Sequence, residues 1–315
     1  PGKMVWIAVE KGSERVIGHY AGIPLEIKLG GRFVRGIHSV KAMAHPDYRR
    51  HGILTALGTN AHQEWARHGY ELVIGLPNDK WGTRNAALGY RQQFPLAWMK
   101  FPLRLDRVLN RRLTSRVGRV AAAVPARAVS WLWRHMHITS PIPSEAAHIV
   151  QGNLSETTSD FESMWTTLSS LYPNTVVRSP SWLRWRYGEE PTRAFNLLLS
   201  KIGSVPTGFI SYRIVVSKAR VTGYIADLFV APKDHTSARA LITGAFEDMD
   251  KLGAGSIMAA ASPGSPAYLH LRENGFRPTK AGFTIEIVPL ASSIDPALMH
   301  DPSQWHLAAG DFDIV

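Results

Sequence analysis

The residues best suited to bind an anionic ligand lie together between residues 43 and 57. Arg49 and Arg50 are followed directly by His51 and Gly52, with an apolar segment before them and an amphipathic one after. The first amides of a helix have no acceptor inside the helix, and the helix dipole favours negative charge there. Glycine also lets the backbone approach a ligand closely. The stretch therefore predicts a phosphate-binding turn; the alternative is an ordinary strand-to-helix turn with solvated arginines.

Two regular elements must hold this turn in place. Residues 37–44 are strand-like, and a Pro-Asp turn follows them. Gly69 stands where the C-terminal cap of the next helix is expected. Between these points apolar residues recur at helical spacing, which predicts a helix over residues 52–68; they are Ile53, Leu54, Leu57, Ala61 and Trp65.

The turn also carries a family signature. The sequence Arg49-Arg50-His51-Gly52-Ile53-Leu54 resembles the motif of the GNAT superfamily of acyl-CoA-dependent N-acyltransferases, which is Arg or Gln, two residues, Gly, one residue, then Gly or Ala. Leu54 departs from it, because a small residue is usual at the last position. The preceding His-Pro-Asp-Tyr, residues 45–48, is also common in the family.

The resemblance implies that acetyl-CoA or another acyl-CoA is the co-substrate. Its pyrophosphate would lie on the amides of residues 49–55, and main-chain groups of Met43 and Ala44 would hold the pantetheine. An N–H there would polarise the thioester carbonyl. The candidate cofactor-binding residues are Met43, Ala44, His45, Arg49, Arg50, His51, Gly52, Ile53, Leu54, Thr55 and Asn78.

Catalysis of amine acylation needs a base for the amine and an acid for the leaving thiolate. His38 on the central strand is the best-placed candidate for the catalytic base, although it also fits a structural strand histidine, and Asp79 and Glu26 are weaker candidates. The Tyr that many family members use as the acid corresponds here to Asn85. Tyr90 lies nearby and is either a packing residue or catalytic.

Composition limits the classes of site and partner. The chain has 315 residues and no cysteine, which excludes disulfides and thiol chemistry. The histidines show no metal-ligand spacing, and we assign no metal site. No apolar run is long enough to span a bilayer and no signal peptide is visible, which fits a cytoplasmic protein. The net charge of +11 favours a polyanionic partner.

The order of elements predicts an α/β fold, with mixed sheets of the α+β kind, built as two tandem GNAT-like folds. Both halves follow the order β-β-β-turn-α-β-α-β, and Leu88-Gly-Tyr90 in the first corresponds to Asn274-Gly-Phe276 in the second. The second half has a strand and two helices before Pro191, whereas nothing precedes Pro1; we therefore expect that the first fold lacks its N-terminal strand and helices. The second half's loop, residues 233–239, has no glycine and carries Asp234, which would repel phosphate.

These landmarks predict four segments. They are a first GNAT-like domain with the acyl-CoA turn (1–102), basic amphipathic linker helices (103–146), a second GNAT-like domain with a degenerate cofactor loop (147–290) and a tail (291–315). Arginines interleave with apolar residues in 104–134, which fits a helix packed between domains, a helix on an anionic membrane surface, or a nucleic-acid contact. The tail's Asp311 and Asp313 belong either to a docked C-terminus or to an acceptor pocket.

The predicted function is transfer of an acyl group, most simply acetyl, from acyl-CoA to a primary amine of a small molecule or amino sugar. Two alternatives remain. Tandem GNAT-like folds also occur in transferases that use aminoacyl-tRNA for cell-wall peptides, and the basic linker would suit tRNA. A non-catalytic scaffold or peripheral membrane module would explain Asn85 and Leu54. Neither the acceptor nor the acyl-chain length can be read from the residues.

Overall fold

The computed structural model describes residues 2–77, 84–104, 128–129, 132, 147–189, 193–217, 220–312 and 314. The first half contains Val5–Val9 (β1), Val16–Leu29 (β2), Arg32–Ala44 (β3), Ile53–Arg67 (α1), Leu72–Gly75 (β4), Arg84–Ala87 (α2) and Arg91–Phe101 (β5). Next come His148–Gln151 (β6), Thr158–Leu168 (α3), Asn174–Val176 (β7) and Pro180–Leu183 (α4). The second half continues with Asn196–Ile202 (β8), Val205–Ser217 (β9), Arg220–Val230 (β10), His235–Lys251 (α5), Ser256–Ala261 (β11), Pro266–Glu273 (α6), Arg277–Pro289 (β12) and Trp305–His306 (β13).

The same order of elements occurs twice. The series β1-β2-β3-α1-β4-α2-β5 recurs as β8-β9-β10-α5-β11-α6-β12. In both series the first three strands pair antiparallel and the third pairs parallel with the fourth. The α/β fold with mixed strand directions is therefore confirmed, and the recurrence supports the interpretation as a tandem repeat.

Contacts divide the chain into two compact units that do not follow the predicted segments. The first unit is Pro1–Leu96, Pro173–Val177 and Gly282–Trp305, and the second is Ala97–Tyr172, Arg178–Ala281 and His306–Val315. Each unit therefore contains pieces of both halves of the sequence. The four-segment division of the chain stays a prediction.

In the first unit, β4 takes its antiparallel neighbour from far along the sequence. Leu72 to Gly75 pair with Pro289 to Glu286 of β12. On the other side, β4 pairs parallel with residues 36–38 of β3. Helix α1 buries one face, Leu57, Gly58, Ala61, His62 and Trp65, because these residues recur at helical spacing. Of these, Leu57, Ala61 and Trp65 pack into a core with Tyr20, Ile37, Tyr70 and Val73.

In the second unit, β11 likewise takes its antiparallel neighbour from the other half of the sequence. Ile257 to Ala261 of β11 pair antiparallel with Phe101 to Ala97 of β5, which is the last strand of the first half. Phe101 is fully buried there and stacks on Phe246 of α5, with ring centroids 4.5 Å apart. Each half of the sequence thus supplies its fifth strand to the unit that contains the other half's fourth strand.

Candidate functional site

A cavity of about 290 Å³ opens in the first unit where β3 and β4 stop pairing. The two strands are hydrogen-bonded only as far as His38 and Ile74, after which β3 continues to Ala44 while β4 ends at Gly75. Residues 39–43 form one wall and residues 75–77 another. Four further side chains of the described residues line the cavity: Tyr20, Asn85, Tyr90 and Glu286.

A bulge in β3 shapes the first wall. The register passes from His19 opposite Met43 to Ala21 opposite Val40, so two residues of β3 face one residue of β2. Lys41 adopts a left-handed conformation at this point, with φ of 51°. A bulge bends its strand and disrupts the local ladder, so the segment from Lys41 to Met43 departs from regular pairing beside the cavity.

The predicted phosphate turn directly follows β3. A short 3-10 helix at Pro46–Tyr48 leads to Arg50 and Gly52, both in the left-handed region, and Gly52 immediately precedes α1. A Cβ atom at Gly52 would meet no atom within 4 Å, so the space in front of the first α1 amides is open. Arg49, Arg50 and His51 are exposed around it. An open helix N-terminus flanked by two arginines is suited to a phosphate group.

Contacts with the β1–β2 hairpin fix the turn. The His45 ring lies 2.8 Å from Nη2 of Arg15 and accepts from the amide of Asp47. The hydroxyl of Tyr48 donates to the carboxylate of Glu10, and this hydrogen bond lowers the pKa of Glu10. His45, predicted as a cofactor contact, therefore organises the turn through its ring.

A row of polar side chains leads from the cavity into the core. His62 Nε2, Tyr20 OH, Tyr90 OH and Ser39 Oγ follow one another at 2.9, 2.9 and 2.8 Å. Burial raises the pKa of Tyr20 to about 12 and lowers the pKa of His62 to about 4. Both tyrosines therefore keep their protons and His62 is neutral near pH 7. Such hydroxyls can donate a proton but are poor bases.

Among the described residues that line the cavity, Glu286 is the carboxylate, and its sequence neighbourhood contains no pattern that indicates this. It lies on β12, opposite Gly75, and is 5% exposed. Asn85 Nδ2 donates to its Oε2. Burial raises the pKa of Glu286, which suits a base more than the ordinary value does. Asn85, which stands where the family's usual acid is expected, thus positions this carboxylate.

The described residues His38 and Glu26, both predicted as candidate bases, do not line the cavity. His38 is 5% exposed, and its Nδ1 is 3.3 Å from the carbonyl oxygen of Ile74; among the described residues it does not line the cavity. Glu26 is exposed on β2. Asp79 and the predicted cofactor contact Asn78 lie outside the described residues.

The predicted cofactor residues outside the turn that the structure describes lie at the end of β3 and at the start of α1. Met43 lines the cavity, and Ala44 ends β3 directly beyond it. Ile53 and Leu54 begin α1 as half-buried residues, and Thr55 is exposed in the first turn. Gly18 of β2 lets the start of α1 approach, because a Cβ there would lie 2.5 Å from Cγ2 of Ile53.

In the second unit the helix that corresponds to α1 has a capped N-terminus. Asp234 caps α5, with its Oδ1 accepting from the amide of Ser237, so a carboxylate occupies the helix N-terminus that phosphate would need. The tail runs along the ends of β10 and β11: Ala308 bridges Ala261, and a Cβ at Gly310 would lie 3.0 Å from the carbonyl oxygen of Ala226.

Buried charges hold that tail. Arg178 donates to Asp227 at 2.7 Å and to Asp311 at 2.9 Å, and all three side chains are fully buried. Nε2 of His306 lies 3.2 Å from Asp227, and the amide of Ala308 donates to Asp311. Asp311 is thus part of a docked C-terminal segment; Asp313 lies outside the described residues.

Residues 3–86 match the family model described as "Acetyltransferase (GNAT) domain". The resemblance to GNAT acetyltransferases is confirmed. The matched range contains the β3 wall, the phosphate turn and α1, and it stops before Tyr90 and Glu286. The GNAT model therefore covers the β3 wall of the cavity and the turn that follows it. A comparison with curated protein sequences gave no significant match.

Solved structures show the same fold over most of the chain. A GCN5-related N-acetyltransferase from Anabaena variabilis is 14% identical with a TM-score of 0.63, and 91% of this chain covers 63% of that one. A probable N-acyltransferase from Enterococcus faecalis is 13% identical with a TM-score of 0.60, and the match covers 88% of this chain and 60% of that one. Saccharomyces cerevisiae N-myristoyltransferase with bound myristoyl-CoA is 12% identical with a TM-score of 0.59, and the match covers 94% of this chain and 73% of that one. The chain thus spans about three fifths of the length of the first two.

Most of the basic segment 104–134 lies outside the described residues, so its three interpretations stay open. Arg104 is described: its Nε donates to Asp250 at 2.7 Å. Among the described residues, no helix has the length and apolarity needed to cross a membrane.

Proposed function

We propose that this protein is an acyl-CoA-dependent N-acyltransferase whose acyl transfer takes place in the cavity of the first unit. One observation carries the proposal: the unpaired stretch of β3 lines one cavity together with a buried carboxylate, and the same strand runs directly on to the turn at the N-terminus of α1. The myristoyl-CoA bound to the yeast structural neighbour supports an acyl-CoA as co-substrate.

In this proposal each group of the chain has one task. The amides after Gly52 and the guanidinium groups of Arg49 and Arg50 bind the pyrophosphate. Main-chain groups near Met43 hold the pantetheine and polarise the thioester carbonyl. The acceptor is a primary amine of a small molecule, and the negative charge of Glu286 favours its entry as a cation.

Glu286 is the proposed general base and Tyr90 the proposed acid. The base removes a proton from the amine, the amine nitrogen bonds to the acyl carbon, and the carbon–sulfur bond breaks. Tyr90, whose pKa burial raises well above its usual value, protonates the departing thiolate. The row through Tyr20 to His62 keeps the Tyr90 hydroxyl in place and connects it to a neutral imidazole.

The test is Glu286→Gln, assayed by release of free CoA thiol with acetyl-CoA and a panel of amino sugars, aminoglycosides and polyamines. Because the chain has no cysteine, a thiol reagent reports only CoA. We expect kcat/KM to fall by about 10² to 10⁴ while the shift in melting temperature caused by CoA is kept, because the base is lost but the phosphate turn is not. In the parent, kcat/KM should rise with pH through a pKa above the ordinary glutamate value.

Glu26→Gln is the matched control, since Glu26 is an exposed carboxylate of the same unit, and it should leave the rate unchanged. If Glu286→Gln and Glu26→Gln have equal rates with every active acceptor, Glu286 is not the base. If the parent shows no CoA-induced shift and releases no thiol, the acyltransferase proposal itself fails.

A further inference from the structure

Two histidines and a glutamate meet in the second unit, although they are far apart in the sequence. His235 is the first residue of α5, and His270 and Glu273 lie in the last turns of α6. One nitrogen from each histidine and one carboxylate oxygen lie within 4.8 Å of one another. Sequence spacing missed this cluster because only His270 and Glu273 are close in the chain, at a separation that places both on one helix face.

His270 is oriented as a metal ligand. Its Nε2 is 3.2 Å from the carbonyl oxygen of Ala231, which can only accept, so this nitrogen carries the proton. A histidine whose outer nitrogen donates to a carbonyl presents the lone pair of the other nitrogen, as is usual for metal-bound histidines. That nitrogen, Nδ1, has no hydrogen-bond partner among the described residues although the side chain is 1% exposed.

The distances suit a small divalent cation. Oε2 of Glu273 lies 2.7 Å from Nδ1 of His235 and 3.9 Å from Nδ1 of His270. Bonds of about 2.0–2.2 Å to a tetrahedral ion place ligand atoms about 3.3 Å apart. The first of these two separations is shorter than that value and the second is longer. The exposed side chains of His235 and Glu273 can move by the few tenths of an ångström required.

We propose that His235, His270 and Glu273 bind one Zn²⁺-class cation, with the remaining coordination position open to solvent. Two imidazoles and one carboxylate form a recognised zinc ligand set. The dipole at the C-terminal end of α6 favours a cation here, and the capping carboxylate of Asp234 offsets the opposing dipole at the N-terminal end of α5. His235 belongs to the loop that corresponds to the predicted phosphate turn, so the second half would bind a cation where the first half is proposed to bind an anion.

The experiment is titration of the metal-stripped full chain with Zn²⁺ by calorimetry, and with Co²⁺ by visible absorption. We expect one equivalent per chain and the intense absorption bands of a four-coordinate cobalt site. Exposed ligands allow replacement without loss of fold, so His235→Gln and Glu273→Gln should each weaken Zn²⁺ binding at least about tenfold. Mg²⁺, which prefers oxygen ligands, should not compete.

The matched control is Glu64→Gln. Glu64 and His68 form a similar exposed pair on α1, with Nδ1 and Oε1 3.5 Å apart, but they belong to no three-residue cluster among the described residues. This variant should bind Zn²⁺ as the parent does. The proposal is overturned if no saturable one-to-one binding occurs, or if His235→Gln and Glu273→Gln bind as tightly as Glu64→Gln. Neither result bears on acyl transfer, because the cluster belongs to the second unit.

Discussion

Replacing Arg178 by Met should destabilise the protein strongly, because it leaves two carboxylates buried without their counter-charge. Arg178, Asp227 and Asp311 are all fully buried, and the guanidinium bonds to both carboxylates. Removing one partner of a buried ion pair costs about 3–5 kcal/mol. Because two carboxylates lose their cation here, we expect a loss at the upper end, about 4–5 kcal/mol of the free energy of unfolding.

Urea unfolding followed by tryptophan fluorescence measures this loss. Arg104→Met is the control: Arg104 pairs with Asp250 in the same unit but is 30% exposed, and a pair of that kind contributes about 1 kcal/mol or less. Replacing the whole cluster, with Arg178→Met, Asp227→Asn and Asp311→Asn together, should recover much of the stability. A loss below about 1 kcal/mol in Arg178→Met would refute the reasoning.

The pH dependence gives a second readout with a definite sign. Burial opposes ionisation of Asp227, but Arg178 and His306 hold its pKa below the usual value in the parent. A carboxylate with a lowered pKa stabilises the fold above its unfolded pKa, and this contribution is lost as pH falls. In Arg178→Met the hydrogen bond from His306 remains, but burial, the largest influence, is no longer opposed by the guanidinium and raises the pKa of Asp227, so the variant should become more stable as pH falls from 7 towards 5.

Two further predictions concern the first unit. Gly52→Asp should abolish the rise in melting temperature caused by acetyl-CoA, because its carboxylate faces the phosphate position; Gly203→Asp, at another left-handed glycine with open space around it, is the control and should keep the rise. Tyr90→Phe should lower kcat by about 10² or more if Tyr90 is the acid, at a stability cost of about 1 kcal/mol, whereas Tyr212→Phe, which loses a similar hydrogen bond to Asp248, should leave kcat unchanged.

The conformation of the turn before α1 could be predicted from sequence because it is local. Arg49, Arg50 and Gly52 follow one another between a strand and an amphipathic helix, and these short-range patterns determine the turn. The proposed general base has no such local pattern. The sequence favours His38 for its place on the central strand, where the structure leaves it 5% exposed, and no local pattern indicates that Glu286 pairs opposite Gly75.

The repeat could be inferred from the order of elements. The exchange of fifth strands, in which β5 pairs with β11 and β12 pairs with β4, could not be inferred in this way. Leu88-Gly-Tyr90 and Asn274-Gly-Phe276 mark equivalent turns before β5 and β12, and each turn is equally compatible with pairing inside its own half. The choice between the two pairings depends on contacts between distant segments. The three-residue cluster in the second unit is hidden for the same reason, since His235 lies on a different helix from His270 and Glu273.

The exchange of fifth strands sets the order in which a ribosome can complete the site. The phosphate turn and the β3 wall are synthesised early. The hydrogen bond from Asn85 to Glu286 can form only later, because Glu286 is 201 residues further along the chain. Until then β4 has an unpaired edge, which is the kind of surface on which nascent chains associate wrongly. We therefore expect acyltransfer competence to arise late in synthesis and in one step, when β12 adds its carboxylate and covers that edge.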